Sequence, residues 1–228
     1  MGVREISRAL GFSPAVVQKS LQALVSQDFA TKDPITQHYH LGTAALQVGL
    51  AGLSKLELRK VARPHLEVLA NGSGETALLG IPYGNTAIYV DKIVSPAEVR
   101  VDATVGTRRP FNCTAVGKAL LAYMPAEMLS RLSREGAFVQ ATPRSIMKLP
   151  ALKQELARIR ERGVAVDAEE FLPGVMCIAA PIRNHDRVVV GAISISGPVQ
   201  RVQAAEADLS RQVMAAARVV STALGYSG

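Results

Sequence analysis

Tryptophan is absent from this chain of 228 residues, and aromatic residues of all kinds make up only 4% of it. The hydrophobic fraction is nevertheless 48%, so a folded core has to be built from aliphatic side chains. A chain of this length exceeds one typical domain and falls short of two large ones. We therefore expect one larger domain with a smaller one attached to it.

Cysteine is also scarce. Cys113 and Cys177 lie far apart and follow no metal-ligand spacing, which argues against a disulfide framework. Cys177 stands in the apolar run VMCIAAP, where a buried core thiol is the simplest interpretation. The histidines are scattered, and the pair His38 and His40 lacks a third ligand. We expect neither a metal nor a cofactor.

Long apolar runs are missing as well. No run approaches the roughly 18 residues that cross a bilayer, and the first residues, MGVREISRALG, lack the apolar stretch of a signal peptide. We expect a cytoplasmic protein with no membrane partner. The formal net charge of +7 favours an anionic partner, although residues 1–42 hold only four basic residues against three acidic ones.

Residues 1–42 have the pattern of two short helices followed by a β-hairpin. Val3–Leu10 predicts a helix that ends at Gly11, and Ser13 and Pro14 suit the N-cap and first position of a second helix. Residues 29–41 then read as two short strands around a turn. This order is typical of a winged helix-turn-helix that binds DNA. An ordinary helical hairpin would give the same helix pattern.

The candidate DNA-contacting residues lie on the polar face of the second helix and on the hairpin. The helix face has a mildly basic character, and hairpin side chains are placed to reach phosphate groups. The histidines of the hairpin are equally well explained as exposed strand residues. The candidates are Ser13, Ala15, Gln18, Lys19, Gln22, Lys32 and His38.

Residues 43–58 predict a linker helix, with a break expected before Pro64. Residues 59–228 carry strands that come in hairpins rather than in regular β-α-β alternation. This pattern predicts an α+β domain with a central antiparallel sheet of about six strands flanked by helices. A third strand is expected at Val99–Ala103 and a loop at Val105–Pro110.

Three features of the larger domain suggest a binding site. Thr114 caps a predicted helix whose first N–H groups are available to an anion, although capping alone explains this residue equally well. Asp167 begins a group of acids, which are usually solvated. Ser194 and Ser196 alternate on an apolar strand and need partners, from a ligand or from the backbone. No pair of nucleophile and base is recognisable, so binding is favoured over catalysis.

Three stretches of the chain follow one another in a specific order and spacing. They are VGTRRPFNCTAVGKALLAYMP at 105–125, RERGVAVDAEEFLPGVMCIAAPI at 160–182 and ISISGP at 193–198. On these stretches the chain resembles, over nearly its full length, the isocitrate-lyase-regulator family of bacterial transcription regulators. The resemblance implies an N-terminal winged helix-turn-helix and a C-terminal effector-binding domain related to the GAF fold. It also implies homodimers or homotetramers on double-stranded operator DNA.

The resemblance further implies that a small organic or aromatic acid is the effector. Family pockets for small acids use positions that match six residues of this sequence. Val101 adds an apolar wall and Thr114 the helix cap, so the predicted effector-binding set has eight members. They are Val101, Thr114, Ala115, Val116, Asp167, Cys177, Ser194 and Ser196.

Two departures from the family concern the DNA-binding domain. The family has a further helix before Val3–Leu10, so we expect the first helix to be missing and the apolar faces of Leu10, Leu21 and Leu24 to be exposed. The family also has an arginine near Lys19, and lysine cannot make its bidentate contact.

The leading hypothesis is a ligand-responsive regulator. The alternative is a small-molecule-binding protein whose DNA binding is lost or impaired. An enzyme with Cys177 as nucleophile lacks a recognisable base.

Overall fold

The structure is a computed structural model that describes residues 1–55 and 57–227. They form two compact units, Met1–Leu56 and Glu57–Gly228. None of the helices in these two ranges is long and apolar enough to cross a membrane. The first unit consists of α1 (Val3–Leu10), α2 (Pro14–Ser26), β1 (Ala30–Lys32), β2 (Tyr39–Leu41) and α3 (Thr43–Lys55).

The first unit has a small core around α2 and the antiparallel pair β1–β2. As predicted, α1 ends at Gly11 in the left-handed conformation and Ser13 caps α2. Val17, Leu21 and Tyr39 are buried together, so the expectation that Leu21 would be exposed is wrong. Its spacing of four residues from Val17 turns both side chains toward Tyr39.

Two leucines of this unit remain outside its core. Leu10 is 61% exposed and Leu24 is 45% exposed, as expected for these two side chains. Val3, Ile6 and Val25 of the same helices pack against the core, whereas Val16 of α2 is 52% exposed. The unit therefore presents apolar surface on the side of α1 and α2 that its own hairpin does not cover.

The second unit is an antiparallel sheet surrounded by helices, as the α+β prediction requires. Six strands lie in the order β5-β4-β3-β8-β7-β6, and every neighbouring pair is antiparallel. Its elements are α4 (Glu57–Ser73), β3 (Thr76–Tyr83), β4 (Thr86–Ile93), β5 (Arg108–Pro110), α5 (Ala115–Leu121), α6 (Ala126–Arg134), α7 (Leu149–Arg162), β6 (Ala165–Ala168), β7 (Val175–Arg183), β8 (Val189–Pro198), α8 (Val199–Ala204) and α9 (Glu206–Ala223).

Both faces of the sheet are covered. Successive residues of β3, Ala77, Leu78 and Leu79, are all buried, although successive strand side chains point to opposite faces. Helices α4 and α9 pack on each other and on the sheet, and every residue of α5 is buried against β7 and β8. Helix α5 is therefore held inside the unit rather than on its surface.

The strand predicted at Val99–Ala103 is wrong, and the loop predicted at Val105–Pro110 contains a strand. Residues 99–103 have no regular structure, and the Val101 carbonyl accepts a hydrogen bond from Thr76 Oγ1 (2.6 Å). The edge of the sheet is taken by β5, whose Arg109 pairs with Ala87 of β4. Residues 99–103 alternate like a strand and residues 105–110 do not, so the pairing partner decides which segment becomes the strand.

The break expected before Pro64 is also wrong. Helix α4 continues through Pro64 to Ser73, although an interior proline removes one hydrogen bond and costs about 3 kcal/mol. Leu66 and Leu69 of the same helix are buried. Burial of this apolar face offsets the cost of the proline.

Helix α5 sits so close to the preceding segment that only glycine fits at one position. A Cβ on Gly117 would lie 2.3 Å from the Pro110 carbonyl oxygen and 2.7 Å from Phe111 Cα. These are backbone atoms, so they cannot yield without displacing the start of α5. The position of α5 over the sheet therefore depends on Gly117.

We expect Gly117→Ala to lower the free energy of unfolding by about 1–3 kcal/mol, as overpacking does elsewhere. Gly72→Ala in α4 is the matched control, because its new Cβ would meet only the Gln212 side chain at 3.5 Å. The control should be neutral or stabilising by up to about 1 kcal/mol, from helix propensity. Urea denaturation of both variants tests this, and equal effects at the two glycines would contradict the close approach of α5.

Candidate functional site

A cavity of about 50 Å³ lies between the start of α5 and the sheet. Its lining comes from α5, from all six strands of the sheet, and from the loops around 101–103 and 171–172. All eight residues predicted to contact an effector line it: Val101, Thr114, Ala115, Val116, Asp167, Cys177, Ser194 and Ser196. Their part in binding stays a prediction, but the structure brings them to one place.

The sheet register explains why the polar members of this set meet. Asp167 of β6 pairs with Cys177 of β7, and Cys177 pairs with Ser196 of β8. Because cross-strand partners project to the same face, these three side chains form a row across the sheet. Ser194 lies two residues before Ser196 and therefore points to the same face.

Thr114 is occupied by its structural role. Its hydroxyl donates to the Pro110 carbonyl (2.7 Å) and accepts from the Gly117 amide (3.1 Å), so the predicted helix cap is confirmed. The amides of Ala115 and Val116 belong to the first turn of α5 and have no partner within the helix. Both residues line the cavity, which leaves backbone donors at its wall.

Asp167 is a buried acid, with only 3% of its surface exposed. Its Oδ1 accepts hydrogen bonds from the backbone amides of Glu170 (2.7 Å) and Phe171 (3.3 Å). Burial, reinforced by the nearby carboxyl of Glu170, raises the pKa of Asp167 to about 7. The acid therefore holds its proton at mildly acidic pH and is available there as a hydrogen-bond donor.

The thiol and the two hydroxyls differ in their partners. Cys177 Sγ lies 3.0 Å from Ser196 Oγ, at hydrogen-bond distance. Burial raises the pKa of Cys177 to about 12, and the charge of Asp167 adds to the effect, so the thiol is neutral rather than an activated nucleophile. Ser194 as a residue is 1% exposed, and its hydroxyl makes no hydrogen bond within residues 1–55 and 57–227. The hydroxyl is therefore available at the wall of the cavity that Ser194 lines.

Lys118 holds the acid-bearing segment against α5. The side chain is fully buried, and its Nζ donates to the Val166 carbonyl (2.6 Å) and to the carboxylate of Glu170. Burial raises the pKa of Glu170, while Lys118 acts in the opposite direction. Since Asp167 lies between Val166 and Glu170, these contacts fix its backbone on both sides.

The loop after β6 is held by two further hydroxyls. Thr142 Oγ1 donates to the carbonyls of Glu169 (2.8 Å) and Glu170 (3.0 Å), and Ser145 Oγ donates to the Glu170 carbonyl (2.7 Å). The acids of this loop were expected to be solvated, yet Glu170 is largely enclosed. The loop is therefore ordered, and it carries Phe171 to the cavity.

Seven residues that were not predicted from the sequence also line the cavity: Leu78, Tyr89, Ala103, Arg109, Phe171, Leu172 and Val175. Three of them, Tyr89, Arg109 and Phe171, have aromatic or charged side chains. The Arg109 guanidinium lies 5.1 Å from the centre of the Tyr89 ring and 5.0 Å from that of Phe171. Tyr89 was recognisable as an aromatic residue in an alternating strand. Arg109 and Phe171 carried no local signal, because one was expected in a loop and the other follows a cluster of acids.

The predicted DNA-contacting residues occupy exposed positions of the first unit, with one exception. Ser13, Ala15, Lys19, Gln22, Lys32 and His38 are exposed. Gln18 is half-buried, and its amide donates to the Tyr39 hydroxyl (3.5 Å). Lys32 lies over the ring of the same tyrosine, 5.7 Å from its centre. Gln18 therefore serves the small core of the unit as well as its surface.

Comparison with known proteins identifies the family. The family model for the C-terminal domain of IclR, a bacterial transcriptional regulator, matches residues 50–222. The HTH-type transcriptional regulator XynR of Escherichia coli K12 is 32% identical over 225 residues, covering 98% of this chain and 89% of that protein. The chain belongs to the IclR family of bacterial transcription regulators.

Two further relatives agree with this assignment. The HTH-type transcriptional regulator BhcR of Paracoccus denitrificans is 35% identical over 218 residues, covering 95% of this chain and 78% of that protein. The crystal structure of Thermotoga maritima IclR superposes with a TM-score of 0.76 at 29% identity, covering 99% of this chain and 92% of that one. The curated relatives are named as regulators, not as enzymes, in agreement with a binding rather than a catalytic site.

We expect Asp167→Asn to gain stability relative to the wild type as the pH rises from about 4 to 7. The ordinary pKa of the acid is 3.8 and its folded pKa is about 7. The unfolded chain therefore loses this proton first, and wild-type stability falls across that window by up to about 4 kcal/mol. Urea denaturation at a series of pH values measures the difference between the two proteins.

Asp102→Asn provides a control of opposite sign. A hydrogen bond from Lys92 holds the pKa of Asp102 below its usual value. The wild type should therefore become more stable relative to Asp102→Asn as the pH rises and Asp102 ionises. A stability difference between wild type and Asp167→Asn that does not change with pH would contradict the buried, protonated state of Asp167.

Proposed function

We propose that this chain is a ligand-responsive transcription regulator. Residues 1–42 act as a winged helix-turn-helix on double-stranded operator DNA, 43–58 as a linker helix, and 59–228 as a GAF-like effector-binding domain. The working form is a homodimer or homotetramer. The observation that carries this proposal is the single cavity lined by the eight predicted residues, at the centre of the domain that identifies the family.

The chemistry of the cavity supports a small organic acid as the effector. Its volume of about 50 Å³ favours an acid of a few heavy atoms over an aromatic acid. Ser194 offers a hydroxyl that has no hydrogen-bond partner among the described residues. The first amides of α5 are oriented donors. Asp167 adds a carboxyl that donates when protonated. Buried polar groups of this kind are stabilised when a ligand completes their hydrogen bonds.

The surface of the first unit supports DNA binding. Helix α2 presents Ala15, Lys19 and Gln22 to solvent, and the hairpin presents Lys32 and His38. Side chains on such a helix reach base edges in the major groove, and a wing reaches the phosphate backbone. An effector that favours one arrangement of the DNA-binding units in an oligomer would then alter the fit to operator half-sites.

The second candidate function is a small-molecule-binding protein with impaired DNA binding. The exposure of Leu10 and Leu24 favours it, since apolar surface contributes nothing to phosphate contacts. The small basic excess of residues 1–42 points in the same direction. This candidate keeps the cavity and its ligand and differs only in the first unit.

We expect a small carboxylate such as acetate, lactate or pyruvate to raise the melting temperature of the full chain. A ligand at a hundredfold excess over its Kd stabilises the folded state by about 2.7 kcal/mol. Ser194→Ala should abolish the shift, whereas Ser130→Ala in α6, outside the cavity, should leave it unchanged. A shift that survives Ser194→Ala, or equal losses in the two variants, would count against this cavity as the effector site.

We expect the full chain to bind DNA from its own upstream region with an affinity that falls as salt rises. Lys32→Ala should lower the slope of log K against log salt by about 1, because one phosphate contact is lost. Lys153→Ala in α7 is the control and should not alter the slope. Fluorescence anisotropy measures both. Undetectable DNA binding by a chain that still binds a carboxylate would favour the second candidate.

A further inference from the structure

Arg109 and Asp167 belong to opposite edges of the sheet. Arg109 lies in β5 and Asp167 in β6, and these are the first and last strands of the order β5-β4-β3-β8-β7-β6. Both residues nevertheless line the same cavity, so the sheet must curl until its edges approach each other. The Arg109 guanidinium lies close both to Tyr89 of β4 (5.1 Å from the ring centre) and to Phe171 of the loop after β6 (5.0 Å), which marks the place where the two edges meet.

The charge of Arg109 has no counter-ion in the part of the chain that the structure describes. Its Nη1 donates to the Arg108 carbonyl (3.1 Å), and no carboxylate lies within ion-pair distance in residues 1–55 and 57–227. A guanidinium has five N–H donors in a planar fork that matches a carboxylate. One donor is used by the Arg108 carbonyl, and a further hydrogen bond reaches the Tyr89 side chain. These two bonds do not use all five N–H donors.

The other polar groups of the cavity are neutral or titrate only near neutral pH. The Cys177 thiol and the Ser196 hydroxyl lie at hydrogen-bond distance, 3.0 Å apart. Ser194 has an uncharged hydroxyl without a partner among the described residues. The cavity wall thus combines one permanent positive charge with several uncharged hydrogen-bonding groups. A ligand that suits it has one anionic end and a small polar remainder.

We propose that Arg109 binds the carboxylate of the effector and selects acids against neutral molecules of the same shape. This inference rests on the proposed function, namely that the cavity is the effector site. It adds the residue that discriminates between acids and neutral molecules.

Arg108 offers a matched control. It precedes Arg109 in the same strand, is exposed, and stacks on Tyr83 at 4.6 Å from the ring centre, but it does not line the cavity. Arg108→Gln and Arg109→Gln therefore remove the same charge from the same strand. Only Arg109→Gln removes a charge from the cavity.

The test measures the affinity of the full chain for acids and for their neutral amides. The pairs are acetate and acetamide, lactate and lactamide, and pyruvate and pyruvamide, at constant ionic strength and by isothermal titration calorimetry. We expect the wild type and Arg108→Gln to prefer at least one acid over its amide by roughly tenfold to hundredfold, the range for a hydrogen-bonded charge pair. Arg109→Gln should lower this preference to about one.

Three results would overturn the inference. The first is an unchanged preference in Arg109→Gln, which would leave the stack on Tyr89 and Phe171 as the role of Arg109. The second is that the wild type binds an amide as tightly as the matching acid and that Ser194→Ala abolishes this binding. The cavity would then remain the effector site, but it would not select by charge. The third is no binding of any probe, which would also remove the support for a small-acid effector.

A lysine variant separates charge from folding. Arg109→Lys keeps the positive charge but loses the planar fork, so we expect it to retain a preference for the acid that is smaller than that of the wild type. If Arg109→Gln fails to fold, the acid preference of Arg109→Lys decides the question. A preference equal to that of the wild type would contradict binding through the guanidinium fork.

Discussion

The buried ammonium of Lys118 is the constraint on which the site depends. A charge that is removed from water is tolerated only when it is paired and hydrogen-bonded. Lys118 satisfies this condition through the Val166 carbonyl and the Glu170 carboxylate. Strand β6 and the loop that follows it must therefore stay against α5. Asp167 and Phe171 lie within or next to this segment, so their places at the cavity follow from the same contacts.

The burial that this arrangement imposes also sets the electrostatics of the cavity. Asp167 and Cys177 both have raised pKa values because they are enclosed, which keeps the thiol neutral and favours the protonated acid. Arg109 keeps its charge, since a guanidinium cannot lose its proton in a protein. The neutral thiol is thus not an activated nucleophile, which fits a family of regulators, and the charge of Arg109 supports the proposed recognition of an anion.

Local sequence signals predicted most of the secondary structure because they act over a few residues. The cap at Thr114, the helix end at Gly11 and the paired strands depend on neighbouring residues and were predicted correctly. The errors in the second unit arose where distant partners decide. Residues 99–103 alternate like a strand but have no edge to pair with, and Pro64 sits in a helix that burial holds together.

The sequence by itself determined which polar residues share one face of the sheet. Alternation relates Ser194 to Ser196, and the resemblance to the family pointed to Asp167 and Cys177 before their register was known. Only the tertiary structure decided that Arg109 joins them, because the sheet must curl over six strands before its edges meet. That closure depends on packing between residues far apart in the chain, and no local pattern of charge or hydrophobicity encodes it.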